Sequence, residues 1–319
     1  MRTRTKVTLI AGGVGGAKMA EGLASLEGVD LSIICNVADD EAFHGLWVSP
    51  DVDTMIYTLS GRINRQQGWG VDDDAGRALS VLSDLGAETW MFLGDRDFGL
   101  HIYRTERLRR GDRPQDITQD IASGFGVRAT LYLPTDDRVQ TRVRTSNGWL
   151  TFQEYFVRER CEPEVLALRY EGIEAARPNI EAISALLEAD LIVIAPSNPL
   201  VSVAPILDIV GISENLKRSK APVFAVSPLI AGKVVKGPAD RMMRAMGLRA
   251  DVVGVAERYA GLAEVLFIDH ADQELSQEVA ACGMTPVCRD IVMPDGVAKT
   301  RLAREILDHF RTIQEGRAA

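Results

Sequence analysis

The first forty residues alternate between two patterns of apolar positions. "KVTLIA" (6–11) is an unbroken apolar and β-branched run, "GAKMAEGLASLEG" (16–28) spaces its apolar residues as a helix does, and "LSIICNVADD" (31–40) opens with a second apolar run. Short apolar strands separated by one helix length predict parallel βαβ packing with both sheet faces covered. The signature recurs. "DDDAGRALSVLSDLG" (72–86) predicts a helix, and "TWMFL" (89–93) a strand. "ISALLEADLIVIAPSNP" (183–199), "APVFAVSP" (221–228), "VVGVA" (252–256) and "EVLFIDH" (264–270) predict further units. Between them, "ATLYLPTDDRVQTRVRTSNGWLTFQEYFV" (129–157) alternates apolar and polar residues about Ser146-Asn147-Gly148, which predicts an antiparallel hairpin. The expected architecture is α/β: a doubly wound, mainly parallel sheet from 1–129 and 179–319, with a smaller inserted subdomain over 130–178 that contains the hairpin.

Composition narrows the function classes. The chain has 319 residues and a net charge of −9. That balance argues against nucleic acid or an anionic membrane as partner, since both need clustered Lys and Arg. No apolar run approaches bilayer length. The basic start "MRTRTKV" leads into a strand rather than a signal-peptide core, so a cytoplasmic protein is expected. Cys35, Cys161, Cys282 and Cys288 form no C-x-x-C and read as reduced thiols.

In open parallel sheets ligands bind beyond the carboxyl ends of the strands, so the residues after each apolar run carry the candidate chemistry. After the first run comes "GGVGGAK", with Gly12, Gly13, Gly15, Gly16 and Lys18. It matches neither G-x-G-x-x-G nor G-x-x-x-x-G-K-[ST], yet strand-glycine loop-helix is the context in which backbone N–H groups cradle a phosphate. Lys18 is expected in the helix's first turn. After the second run come Asn36, Asp39 and Asp40, and Asp51 and Asp53 follow in "NVADDEAFHGLWVSPDVDT". Four carboxylates so close suggest a cation or a ligand hydroxyl, or else a solvated acidic loop; Mg2+ with substrate phosphate oxygens fits the first. "GDRD" sets Arg96 between Asp95 and Asp97, where a guanidinium can grip an anion or join a surface ion-pair cluster. His101 and Arg104 fall on one helical face nearby, and His44 lies in the acidic block; neither histidine has a nucleophile partner. Ser197-Asn198 and the loop to Gly237-Pro238 complete the ring of strand ends. The aromatics of "FQEYF" (152–156) can flank a planar ligand or pack the hairpin onto the sheet.

Taken in order, "GGVGGAK", "NVADDEAFHGLWVSPDVDT", "GWG", "LGDRDFGLHIYR", "PTDDRVQTRVRT", "FQEYFV", "PSNPLVSVAPIL", "AVSPLIAGKVVKGPA" and "GVAERY" span nearly the whole chain. The set resembles the 2-phospho-L-lactate transferases of coenzyme F-420 biosynthesis, the CofD/FbiA family. Thr135, where many relatives have methionine, is a minor departure. The resemblance implies a Rossmann-like core, Mg2+ and two small-molecule substrates, and makes a homodimer plausible. The donor would be a guanosine diphosphate ester of a phosphorylated three-carbon acid. The acceptor would be Fo, the riboflavin-like 7,8-didemethyl-8-hydroxy-5-deazariboflavin, and GMP would leave. By motif it implies deazaflavin binding at Asp53 and Arg96. The donor nucleotide and phosphates would lie on Gly12, Gly13, Gly15, Gly16, Lys18, Asn36, Ser197 and Asn198. Metal ligands would come from Asp39, Asp40 and Asp51, and proton transfer from Asp51 or Asp40. Two rivals share features. The YvcK-type gluconeogenesis factors, which bind nucleotide-sugars as regulatory modules, have the glycine loop and acidic block; "GDRDFGLHIYR" and "FQEYFV" favour the transferase branch. A nicotinamide oxidoreductase would need an acidic residue where Asn36 stands. Nothing in the sequence selects phospholactate, phosphoenolpyruvate or phosphoglycerate.

Overall fold

The structure, a computed structural model, describes residues 4–318, so the first three residues of the basic start lie outside it. Seven strands form one all-parallel sheet: β1 Thr5–Ala11, β2 Val29–Cys35, β3 Thr130–Tyr132, β4 Leu191–Ile194, β5 Val223–Val226, β6 Val265–Ile268 and β7 Thr285–Cys288. Their spatial order is 7-6-5-4-1-2-3, which is the Rossmann order extended by one strand. The chain is therefore α/β and doubly wound, as the apolar runs predict.

Alternate residues of each strand serve opposite cores. In β4, Ile192 and Ile194 join one apolar cluster while Leu191 and Val193 join the other. Leu302, Ile306 and Phe310 of the C-terminal helix Gly296–Ala318 cover the second face. On the first face lies the inserted antiparallel sheet Gln140–Thr145, Gly148–Thr151 and Ala167–Glu171. Its Val143 and Leu150, with Phe152 and Tyr155 just beyond, join the cluster that holds Ile194, so the insert shares the core rather than building its own.

Three expectations are corrected. "ATLYLP" does not begin the hairpin: Thr130–Tyr132 pairs parallel with β2 as the sheet edge, and the departure from the core starts after it. "VVGVA" is helical, Val252–Tyr259, because Asp251 caps Val253 and Gly254 N–H groups at 3.0 Å and the apolar residues recur on one face. "TWMFL" forms no strand, and Trp90 to Leu93 instead line the crevice at the strand ends. The acidic block hides a two-stranded hairpin, Glu41–Phe43 with Leu46–Val48, turning at His44 and Gly45. His44 is exposed at that tip, so its position serves the turn.

Candidate active site

The crevice opens where strand order reverses, between the ends of β1 and β4, and encloses about 630 Å³. Ser197 joins the two loops: its Oγ accepts from the Gly12 N–H at 3.2 Å and donates to the Gly12 carbonyl at 2.7 Å. Gly13 has φ +62°, the left-handed value that turns the loop into the helix Gly13–Ala24. A side chain on Gly15 would overlap the Pro196 carbonyl, and one on Gly16 would meet Ala11 and Ser197. Gly12, Gly13, Gly15, Lys18, Ser197 and Asn198 line the cavity, while Gly16 is buried beneath it. The helix begins at Gly13, which moves Lys18 to its second turn. The free N–H groups at such a helix start favour an anion.

Of the two amides expected at the ligand, Asn198 lines the cavity and Asn36 does not. Asn36 is fully buried, and its Nδ2 donates to Asp51 Oδ2 at 3.0 Å and to the Val201 carbonyl at 3.3 Å. It orients Asp51 and does not line the cavity, which also removes it as a reader of a nicotinamide cofactor's ribose. Asn198 Oδ1 accepts from Leu200 N–H at 3.0 Å as a helix cap.

The four aspartates are all buried but not equivalent. Asp51 and Asp53 occupy the first turn of the helix Pro50–Leu59, at its positive end. Burial pushes Asp51 up to about 6, against hydrogen bonds from Asn36 and the Gly13 backbone. Burial, with the charges of Asp51 and Asp40, raises Asp39 well above the usual carboxylate range, and Asp39 Oδ1 has no hydrogen-bond partner. Both Asp39 and Asp51 face the cavity. Asp40 turns the other way. Its Oδ2 accepts from Ser49 Oγ at 2.6 Å and Trp47 Nε1 at 3.2 Å beside a separate void of about 20 Å³, and burial pushes its pKa up to about 8. Among the described residues no three His, Cys, Asp or Glu side chains converge as metal ligands, so Asp39, Asp40 and Asp51 do not form a joint set. Asp40 is likewise out of reach of a proton in the cavity. The insert fixes this turn from behind: Gln140 Nε2 donates to the Asp40 carbonyl at 2.7 Å and Gln153 Nε2 to the Asp39 carbonyl at 3.4 Å.

Asp53 reaches the cavity wall with its charge already matched. Arg104 grips both its oxygens, Nη1 to Oδ2 at 3.1 Å and Nη2 to Oδ1, and all three of Asp53, Arg104 and His101 are buried. The helix Asp95–Arg109 puts His101 and Arg104 one turn apart, as their spacing predicts. Arg96, by contrast, does not line the cavity. Its side chain is 58% exposed and donates to the Asp72 carbonyl at 2.6 Å. It does not sit between Asp95 and Asp97, because that helix start aims Asp97 inward at the Tyr57 hydroxyl, which donates to it at 2.8 Å. The arginine that pairs with a cavity-lining carboxylate is Arg104.

His101 provides a pH test. Burial, first, and the Arg104 charge hold its pKa down at about 4, against the pull of Asp53. The unfolded chain thus binds a proton between about 6.5 and 4 that the folded chain refuses, so this contribution is intact above 6.5 and is lost as pH falls. The stability advantage of wild type over His101→Asn should shrink by roughly 3 kcal/mol between pH 7 and pH 4 in urea titrations. A difference that stays constant with pH would refute it.

The mouth of the cavity is aromatic. Trp69, Phe92 and Phe156 are 43%, 46% and 38% exposed, and all three line it. Phe156 stacks on Phe152 with ring centroids 5.6 Å apart and planes 8° apart, on the π-type turn Glu154–Arg158. Of the "FQEYF" aromatics, Phe152 and Tyr155 pack the insert into the core, as one of the two readings has it, and Phe156 lines the opening. Sequence reasoning missed Trp69, Trp90 and Phe92 as cavity wall, because "GWG" entered only as a family block and the apolar "TWMFL" reads as a buried strand.

A Rossmann-type sheet with a glycine loop at its switch point, opposed by buried acids and an aromatic mouth, defines an α/β protein with a cavity at the carboxyl ends of its strands. Residues 7–304 match the family model of 2-phospho-L-lactate transferase CofD, and the chain belongs to that family of transferases. It is 40% identical over 306 residues to a 2-phospho-L-lactate transferase of Methanopyrus kandleri, covering 95% of this chain and 96% of the relative. It is 35% identical over 310 residues to a phosphoenolpyruvate transferase of Streptomyces griseus, covering 95% and 98%. The crystal structure of a UPF0052-family protein from Bacillus halodurans aligns with TM-score 0.63 at 16% identity, over 96% of this chain and 99% of that one, a likeness of fold alone. Among the described residues no single helix is long and apolar enough to cross a membrane.

Proposed function

We propose that this enzyme transfers a phosphorylated three-carbon acid from its guanosine diphosphate ester to the terminal ribityl hydroxyl of Fo, releasing GMP. The observation that carries the reading is one cavity with a glycine cradle and two unpaired buried carboxylates at its base and an aromatic rim at its mouth. The base suits a diphosphate, and the rim suits a planar deazaflavin.

The donor's diphosphate lies across the N–H groups of Gly13 to Gly15 beside Lys18. Fo stacks at Trp69, Phe92 and Phe156, with its ribityl chain pointing inward. Asp51, held by Asn36 and perturbed to about 6, takes the proton of the terminal hydroxyl. That oxygen bonds to the distal phosphorus, the bond from this phosphorus to the bridging oxygen breaks, and GMP leaves with the electron pair. In-line positioning supplies most of the acceleration in such transfers. Mg2+ fits this site. Asp39 Oδ1 is a buried carboxylate oxygen without a partner, facing the cavity, and Mg2+ favours one or two carboxylates plus substrate phosphate oxygens. Asp39 would hold it, and the ion would neutralise the diphosphate. A metal-bound carboxylate is a poor base, which leaves the proton to Asp51.

The test is the purified protein with Fo, Mg2+ and the guanylylated forms of phospholactate, phosphoenolpyruvate and phosphoglycerate in competition. GMP and a more anionic deazaflavin should appear by chromatography, and no product from any donor would sink the reading. Asp51→Asn should lower kcat by roughly 10²–10⁴-fold while Fo still binds. The competition also ranks donors, since a methyl, methylene or hydroxymethyl difference is worth only about 1–3 kcal/mol in an apolar pocket.

A further inference from the structure

Lys236 belongs to no assignment made above, yet it lines the cavity that the glycine loop lines, from an exposed position. It follows a short hairpin, Leu229–Ile230 with Lys233–Val234, whose turn is pinned where both Asp272 oxygens accept from the Ala231 N–H at 3.1 Å. From there its Nζ donates to the Gln67 carbonyl. Gly68 lies between this ammonium and the phosphate loop. A Cβ on Gly68 would sit 3.5 Å from Lys236 Nζ and 3.1 Å from Val14 Cγ1. Lys18, on the helix that the loop starts, lines the same cavity.

Both ammonium groups lack a counter-charge. Among the described residues neither makes an ion pair, and Lys236 has only a carbonyl. Glu21, one turn beyond Lys18 and its natural partner, is taken by Lys299 Nζ at 2.6 Å and Arg65 Nη2 at 3.0 Å. The two lysines also repel: burial and then the Lys18 charge lower the pKa of Lys236. Asp39 and Asp51, the unpaired acids of the cavity, are bonded to neither. Two like charges held at one cavity wall, next to the N–H groups of a helix start, are complementary to an oxyanion bearing more than one charge.

We propose that Lys236 and Lys18 form a two-pronged clamp for the diphosphate of a nucleoside diphosphate ligand, with Lys236 exchanging the Gln67 carbonyl for a phosphate oxygen. The clamp rests on the donor half of the proposed function. Because Gln67 and Trp69 share one loop, donor binding releases that loop's tie on the acceptor side.

Inorganic pyrophosphate and GDP, titrated calorimetrically into the full-length protein without Fo, test it. Lys236→Met should weaken both ligands by about 10- to 100-fold, Lys236→Arg should recover most of that loss, and Lys233→Met, exposed on the same hairpin, should bind as wild type. In turnover, the KM for donor should rise in Lys236→Met while the KM for Fo holds. Unchanged pyrophosphate affinity in Lys236→Met, or no pyrophosphate or GDP binding by wild type, would overturn the clamp. Binding that depends on Lys236 in a protein that never modifies Fo would sustain the clamp and fell only the acceptor assignment.

Discussion

Asp53→Ala is expected to destabilise the protein by about 3–5 kcal/mol, because it leaves the buried Arg104 guanidinium without its paired carboxylate. Arg104 receives no other ion pair among the described residues; its remaining contacts are the Trp47 carbonyl at 3.5 Å and His101 Nδ1 at 3.3 Å. Arg104→Met strands the opposite charge and should cost a similar amount. The double variant Asp53→Ala/Arg104→Met, which removes both charges together, should regain much of the loss, since desolvating an ion pair offsets most of its attraction. Urea unfolding of the three variants, combined as a double-mutant cycle, measures the coupling. Single variants within about 1 kcal/mol of wild type would mean that water reaches the pair. Loss of Fo binding in Asp53→Ala is therefore uninformative unless folding is measured alongside it.

A second large loss of activity is expected from Gly15→Ala. The new methyl group meets the Pro196 carbonyl, a backbone atom on the next strand's loop, so no flexible side chain can yield. The β1 and β4 loops must separate, which breaks the Ser197 bridge to Gly12 and displaces the N–H groups of the proposed donor site. A shift of about 1 Å in a positioned site costs on the order of 100-fold in rate, and overpacking costs about 1–3 kcal/mol in stability. Gly28→Ala is the comparison: nothing lies within 4 Å of its Cβ, although φ is +84°. Its turnover should be unchanged, with only a modest loss of stability from backbone strain. Equal turnover in Gly15→Ala and wild type would show that the loop contact is not part of the site.

Asn36 and Arg96 illustrate why motif-level assignment ends where it does. Both stand immediately beyond or within blocks that the family resemblance marks, and both are absent from the cavity wall. Asn36 acts through Asp51, at 3.0 Å, and a sequence does not reveal whether an amide faces a ligand or the acid that faces it. Arg96 and Arg104 share one helix, and only the phase of Asp95–Arg109 directs Arg104 inward to Asp53 while Arg96 stays at the exposed first turn.

From sequence alone came the doubly wound parallel sheet, the glycine cradle after β1, the crowding of aspartates after β2, and Ser197 at the end of β4. These follow from local physics: buried parallel strands read as unbroken apolar runs, and the topological rule places ligands at strand ends. The chain could not disclose which aspartate carries which charge, nor that Trp69, Phe92, Phe156 and Lys236 meet over one cavity. Burial, hydrogen-bond partner and distance are properties of packing between segments far apart in the chain, as in the 185-residue separation of Gly12 and Ser197. Tertiary structure alone paired Asp53 with Arg104, turned Asp40 away, and left Asp39 and Asp51 unpaired facing the cradle.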